Sequence, residues 1–269
     1  MIPGFLLSLR EGLEAALIIG IVLSALHKTG RSDLYQPLWV GVISAVMLSL
    51  LSALLLRGIG RELEGRSEQI FEGITLLLAG AVLTWMIFWM RQQSVSMKAQ
   101  LESDVNQALT FGSRGTIFFL SFIAVLREGI ELALYLTAIS MTYTGIQTLL
   151  GAAIGLFVAC LLGYLIFTTS LHLNMQRFFQ VTAFILILFA AGLIAHGIGE
   201  FNEAGIIPSI INPIWNINHI LDDRSLVGLF LRTLFGYNGN PSLTEALGYS
   251  GYILAIFWIF LKPKKLQPG

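Results

Sequence analysis

Charge is scarce in this sequence: Asp, Glu, Lys and Arg make up 12% of the 269 residues, against about 25% in soluble domains. With 55% hydrophobic residues and a mean hydropathy of +0.78, that scarcity excludes a soluble globule and indicates an all-α membrane protein. Cysteine is nearly absent. Cys160 stands alone, which excludes an intrachain disulfide and leaves redox compartment unread. Of four histidines, His172 and His196 are the candidates in or near apolar runs. They make no facing pair, and no E-x-x-H signature occurs, which argues against a haem carrier or an intramembrane di-iron enzyme. No surplus of basic charge exists either, since sixteen basic residues balance sixteen acidic ones, so nothing points to a nucleic-acid partner.

What is present is apolar sequence in long runs. Seven stretches suit helices crossing about 30 Å of hydrocarbon, roughly residues 2 to 26, 37 to 56, 70 to 90, 116 to 139, 146 to 170, 178 to 198 and 247 to 261. A signal peptide fits the first poorly, because it lacks a basic leader region and Arg10, Glu11 and Glu14 would fall in its apolar part. Basic residues in loops set orientation. Nine, from Lys28 and Arg31 to Lys262, Lys264 and Lys265, fall on one side and five, Arg57, Arg61, Arg66, Arg224 and Arg232, on the other. This predicts an N-terminus outside and a cytoplasmic C-terminus.

The charged stretch REGLEAAL at 10 to 17 returns as REGIELAL at 127 to 134, with six identities in eight positions. Three spans separate the copies, so the second runs through the membrane in the opposite sense. The expectation is one permease domain over 1-269: an inverted repeat of three helices plus three (about 1-90 and 116-200), an extracytoplasmic loop at 199-246 and an appended helix at about 247-261. Inverted repeats favour transport over catalysis, because their halves create a site near the midplane and can rock about it. Beyond the motif the similarity between halves is thin.

On a helix Arg10, Glu11 and Glu14 share one face, as do Arg127, Glu128 and Glu131. Six charges within spans cost about 15 to 20 kcal/mol uncompensated, so they need partners, water or a ligand. Each arginine can pair with the glutamate four residues on, leaving each motif about one negative charge. Together, four carboxylates and two guanidinium groups make an oxygen-rich site for a multivalent cation. A buried ion-pair clamp without transport is the plain alternative, though simple packing needs no excess acid. A proton relay would use the same carboxylates.

The paired R-E-x-x-E motifs and the seven-span layout resemble the oxidase-dependent iron transporter family, the fungal high-affinity iron permeases and their bacterial relatives. FEGITLLLAGAVLTWMIFWM at 71 to 90, AAGLIAHGIGEFNEAGIIP at 190 to 208, and LDDRSLVG with LFGYNGNPSL near the end agree. The resemblance implies uptake of ferrous or ferric iron across a plasma or bacterial inner membrane, with Glu11, Glu14, Glu128 and Glu131 acting on iron beside Arg10 and Arg127. It implies no tightly bound cofactor. It also implies a separate oxidase or extracytoplasmic iron-binding partner, alongside membrane lipid and, as an option, a homo-oligomer. Lead, manganese or another multivalent ion is the rival cargo, since oxygen donors discriminate weakly among hard cations.

Further candidates lie near span ends. Glu72, with Glu68, Glu64 and Glu62 before it, offers an acidic vestibule or a solvated helix start. His196, Glu200 and Glu203 lie along one stripe that suits a second metal stop, with packing as the alternative for His196. In the long loop, IIPSIINPIW and SLVGLFLRTLFG are expected as interfacial or re-entrant helices. His219, Asp222 and Asp223 could attract metal there, although the two aspartates fit a helix start better. Trp85, Met86, Trp89 and Met90 are assigned to an aromatic belt, and Gly151 with Gly155 to close helix packing.

Overall fold

The computed structural model describes residues 1–93, 114–142, 145–168, 175–223 and 225–261, and within these it is all-helical, without strands. In chain order the helices are α1 (Ile2–Lys28), α2 (Tyr35–Glu62), α3 (Arg66–Gln93), α4 (Arg114–Thr142), α5 (Gly145–Thr168), α6 (Met175–Glu203), α7 (Leu226–Phe235) and α8 (Leu243–Leu261), with a 3-10 turn at Ser32–Leu34. Every apolar run became a helix, generally a few residues longer at its ends. Local chemistry sets those ends. Pro3 lies in the first turn of α1, where its missing N–H costs nothing. His27 and Lys28 complement the C-terminal dipole, and Gly30 follows at φ +68° in the left-handed conformation that terminates helices.

Among the described residues, five helical stretches are long and apolar enough to cross a membrane: Ser32–Gly60, Arg66–Trp89, Gly145–Ile166, Gln180–Glu203 and Leu243–Phe260. α1 and α4 match them in length and differ in carrying the three charges of the motif. Large apolar side chains point outward along several of these stretches, among them Met47, Leu54, Phe157, Leu161, Leu254 and Phe257, as a lipid-facing surface would.

The chain forms two compact units, Met1–Leu63 with Trp85–Thr182, and Glu64–Thr84 with Ala183–Gly269. In the first, α1 packs mainly against α5 and α2 mainly against α4, while α1 also meets α4. Val22, Leu26, Leu34, Leu38, Val42, Ala45, Ile117 and Val125 form one apolar core in it. Gly151 sits against the Met1 carbonyl and Gly155 against that of Phe5, which is the close packing expected of that glycine pair.

In the second unit α3 and α6 run against each other, with Gly73 and Gly197 each facing the other's carbonyl. α8 begins with a capping box. The Ser242 hydroxyl accepts from the Glu245 N–H at 3.2 Å, and the Glu245 carboxylate accepts from the Ser242 N–H at 3.4 Å. The long loop corrects one expectation: SLVGLFLRTLFG contains α7, whereas IIPSIINPIW is not helical. Pro208 and Pro213 supply no N–H and fix φ. The segment pairs with the returning chain instead, through Ile214 N–H to Pro241 at 3.0 Å, Ile217 N–H to Gly239 at 2.9 Å and Leu243 N–H to Ile211 at 3.0 Å.

Candidate functional site

Both motifs fall in the first unit, on the faces where α1 and α4 approach. Their glycines allow the approach of the flanking helices: a Cβ at Gly12 would collide with Ala159 on α5, and one at Gly129 with Ser49 on α2. The charged faces are thereby turned inward. Arg10 and Glu11 are each 1% exposed, and Glu14 and Glu128 are buried.

Carboxylate oxygens of Glu11, Glu128 and Glu131 lie within 4.8 Å of one another. Each close pair of negative charges costs about 3 kcal/mol at an effective dielectric of 20. Both Glu11 oxygens and one Glu128 oxygen are buried without a hydrogen-bond partner among the described residues. Buried acceptors left in this state cost about 1 to 3 kcal/mol apiece or more. A hard multivalent cation relieves both penalties at once, because it satisfies the oxygens and reverses the sign of the local field.

The arginines do not complete this neutralisation evenly. Arg10 Nε lies 3.3 Å from Glu14 Oε1, so Glu14 is held by its own motif and lies outside the trio. Arg127 Nε donates to Glu131 Oε1 at 3.1 Å and approaches Glu128 at 3.9 Å. Its guanidinium lies 4.3 Å over the Trp89 ring, and Arg127 is 39% exposed where Arg10 is almost sealed. The belt assignment of Trp89 therefore missed its contact with the motif. Trp85 is exposed and Met86 buried, while the side chain of Met90 lies outside the described residues. Tyr135, four residues beyond Glu131, is fully buried with its hydroxyl 3.5 Å from Glu131 Oε2. Sequence reasoning missed Tyr135; its i, i+4 spacing from Glu131 is the signal that could have found it.

The second unit holds Glu64, Glu68, Glu72, Glu200 and Glu203. Glu200 interacts electrostatically with Glu72, Glu203, Glu68 and Glu245, and Gln69 donates to Glu203 at 3.3 Å. Glu245 was not anticipated; its first duty is the α8 cap. Glu64, Glu68 and Glu203 are exposed, and the side chain of Glu62 lies outside the described residues. His196 Nδ1 is buried without a hydrogen-bond partner among the described residues, its charged neighbour is Arg232, and among the described residues it joins no group of close metal-ligating atoms with Glu200 and Glu203. His219 is exposed and, among the described residues, joins no group of close metal-ligating atoms. Asp222 and Asp223 line an open cleft of about 510 Å³ with Asn218, Arg232 and Asn240. They do precede a helix: Ser225 caps α7 by accepting from the Gly228 N–H at 2.9 Å, while its hydroxyl donates to the Asp222 carbonyl at 2.7 Å. Arg224 and His172 lie outside the described residues.

A model of the iron permease FTR1 family matches residues 1–263, which takes in both motifs. The ferrous iron permease EfeU of Escherichia coli O6:K15:H31 is 35% identical over 267 residues, covering 98% of this chain and 97% of its own length. EfeU of Yersinia pestis is 35% identical over 272 residues, covering 100% and 96%, and that of Shigella sonnei 35% over 267 residues, covering 98% and 97%. No solved structure matches significantly. Family and relatives are permeases, which transport and do not catalyse. A buried acidic site on two long helices and agreement along nearly the full length lead to one assignment: this chain belongs to the FTR1 family of iron permeases.

Proposed function

We propose that this chain carries iron ions into the cytoplasm across the bacterial inner membrane, through a cage made by the two R-E-x-x-E motifs. The observation that carries the proposal is the convergence of Glu11, Glu128 and Glu131 within 4.8 Å at a buried position. Glu14 completes the acidic set from its pairing with Arg10. The arriving cation sheds part of its water, takes the carboxylate oxygens, and releases Arg127 from Glu131. Glu68, Glu72, Glu200 and Glu203 act as a separate acidic collection point, with His196, His219, Asp222 and Asp223 in no more than accessory roles. A separate oxidase or extracytoplasmic iron-binding protein delivers the ion. The names of the relatives, ferrous iron permeases, favour iron over lead or manganese.

The seven-span, inverted-repeat reading has support beyond the motif. From Arg10 to Arg127 is 117 residues, and from Ser49 to Ala159 is 110. With those offsets, contacts exchange in pairs. Gly12 against Ala159 becomes Gly129 against Ser49, and Gly41 against the Phe118 carbonyl becomes Gly151 against the Met1 carbonyl. Gly4 against the Thr148 carbonyl becomes Ser121 donating to Leu38 at 3.1 Å. A twofold relation between halves generates such pairs.

Two experiments test the reading. In vesicles, Glu11→Gln, Glu128→Gln or Glu131→Gln should each lower radiolabelled iron uptake at least tenfold while the protein stays inserted, with Glu14→Gln less severe. Uptake that survives all three refutes the cage. For orientation, a phosphatase fused after Leu261 should stay inactive and a green fluorescent protein there should fluoresce; active phosphatase refutes a cytoplasmic C-terminus.

A further inference from the structure

One of the departures from the proposed repeat lies beside the cage. The residue equivalent to Tyr135 by the 117-residue offset is Ile18, so α4 brings a phenol where α1 brings only hydrocarbon. Tyr135 is fully buried, and its charged surroundings are Glu11, Glu131, Arg10 and Glu128. Buried phenols ordinarily hold a close hydrogen bond, about 2.7 to 2.8 Å for O–H···O. Among the described residues this one has a single bond, to Glu131 Oε2, at 3.5 Å. That separation is too long to satisfy the hydroxyl well. It is near the spacing of two oxygens on one ion, about 3 Å for ligands at 2.1 Å and right angles.

We propose that Tyr135 Oη is an oxygen ligand of the transported ion, which makes the seat asymmetric: Glu11, Glu128, Glu131 and Tyr135, with Glu14 outside it. This rests on the cage reading above. The carboxylate trio draws on two residues of α4 and one of α1, so the seat already leans toward α4, and the phenol lies on that side. Glu131 is then gripped at both oxygens, by Arg127 through Oε1 and by Tyr135 beside Oε2. On binding ferric iron, an iron–oxygen bond forms, the phenol O–H bond breaks, and the proton leaves to water; no electron is transferred.

Ferric citrate is the probe, because a tyrosine oxygen on iron(III) reports itself by a visible charge-transfer band. Purified wild-type protein should retain iron, measured after acid release, and show the band. Tyr135→Phe should retain iron and lose the band. Resonance Raman of the wild-type protein, excited within the band, should show phenolate ring modes, a readout that requires no variant to fold. Iron retained by the wild-type protein without a band overturns the assignment, as does a band that survives in Tyr135→Phe, which would belong to another of the seven tyrosines. A wild-type protein that retains no iron overturns the cage reading itself, and this assignment with it.

Discussion

Trp89 and Arg127 illustrate how the two motifs, nearly identical in sequence, differ in their surroundings. Arg10 has its carboxylate partner in a sealed position, while Arg127 is partly exposed and its guanidinium rests on the Trp89 ring. A cation–π contact contributes about 0.5 to 2 kcal/mol. In the proposed mechanism the ring offers Arg127 somewhere to remain once the arriving ion takes Glu131. Trp89→Leu should slow iron uptake by roughly two- to tenfold, with Trp89→Phe retaining most of the rate; equal rates in the leucine variant would remove Trp89 from the account. The charged residues of the site were legible in sequence because each carries a large cost at membrane depth, which only function or pairing explains. Trp89 and Tyr135 were not, because aromatic residues in apolar helices are ordinarily packing or interface groups, and their contacts depend on which way a helix is turned.

Helices α1 and α4 owe their approach to α5 and α2 to the glycine inside each R-E-G motif. Gly12 meets Ala159 and Gly129 meets Ser49 in equivalent positions. Overpacking a close contact costs about 1 to 3 kcal/mol. Gly12→Val and Gly129→Val should therefore each lower thermal stability in detergent and reduce uptake, to similar extents. A stable, fully active variant at either position would contradict the packing described. Element positions were readable because apolar length is a strong signal. In the long loop the signal failed for IIPSIINPIW, whose prolines withhold donors, and held for the segment that became α7, which has Ser225 to cap its start and Gly236 at φ +65° to end it.

Across the whole molecule, the proposed relation between the two halves rests mainly on size. Paired positions such as Ser49 and Ala159, or Gly4 and Ser121, share smallness and a neighbour's backbone but not identity, so direct comparison of the halves sees little outside the charged motif. The repeated motif was enough to join the α1 and α4 carboxylates in one expected site, but which of them meet depends on how the helix faces are turned, which the sequence does not specify. The asymmetry, with Glu14 outside the trio, had no sequence signature at all. The most direct test is anomalous scattering at the iron edge from crystals of the full chain grown with iron. The account predicts a peak within about 2.0 to 2.6 Å of oxygens of Glu11, Glu128 and Glu131. A peak confined to the Glu72 and Glu200 group, with the motif carboxylates unliganded in the same crystals, would contradict it.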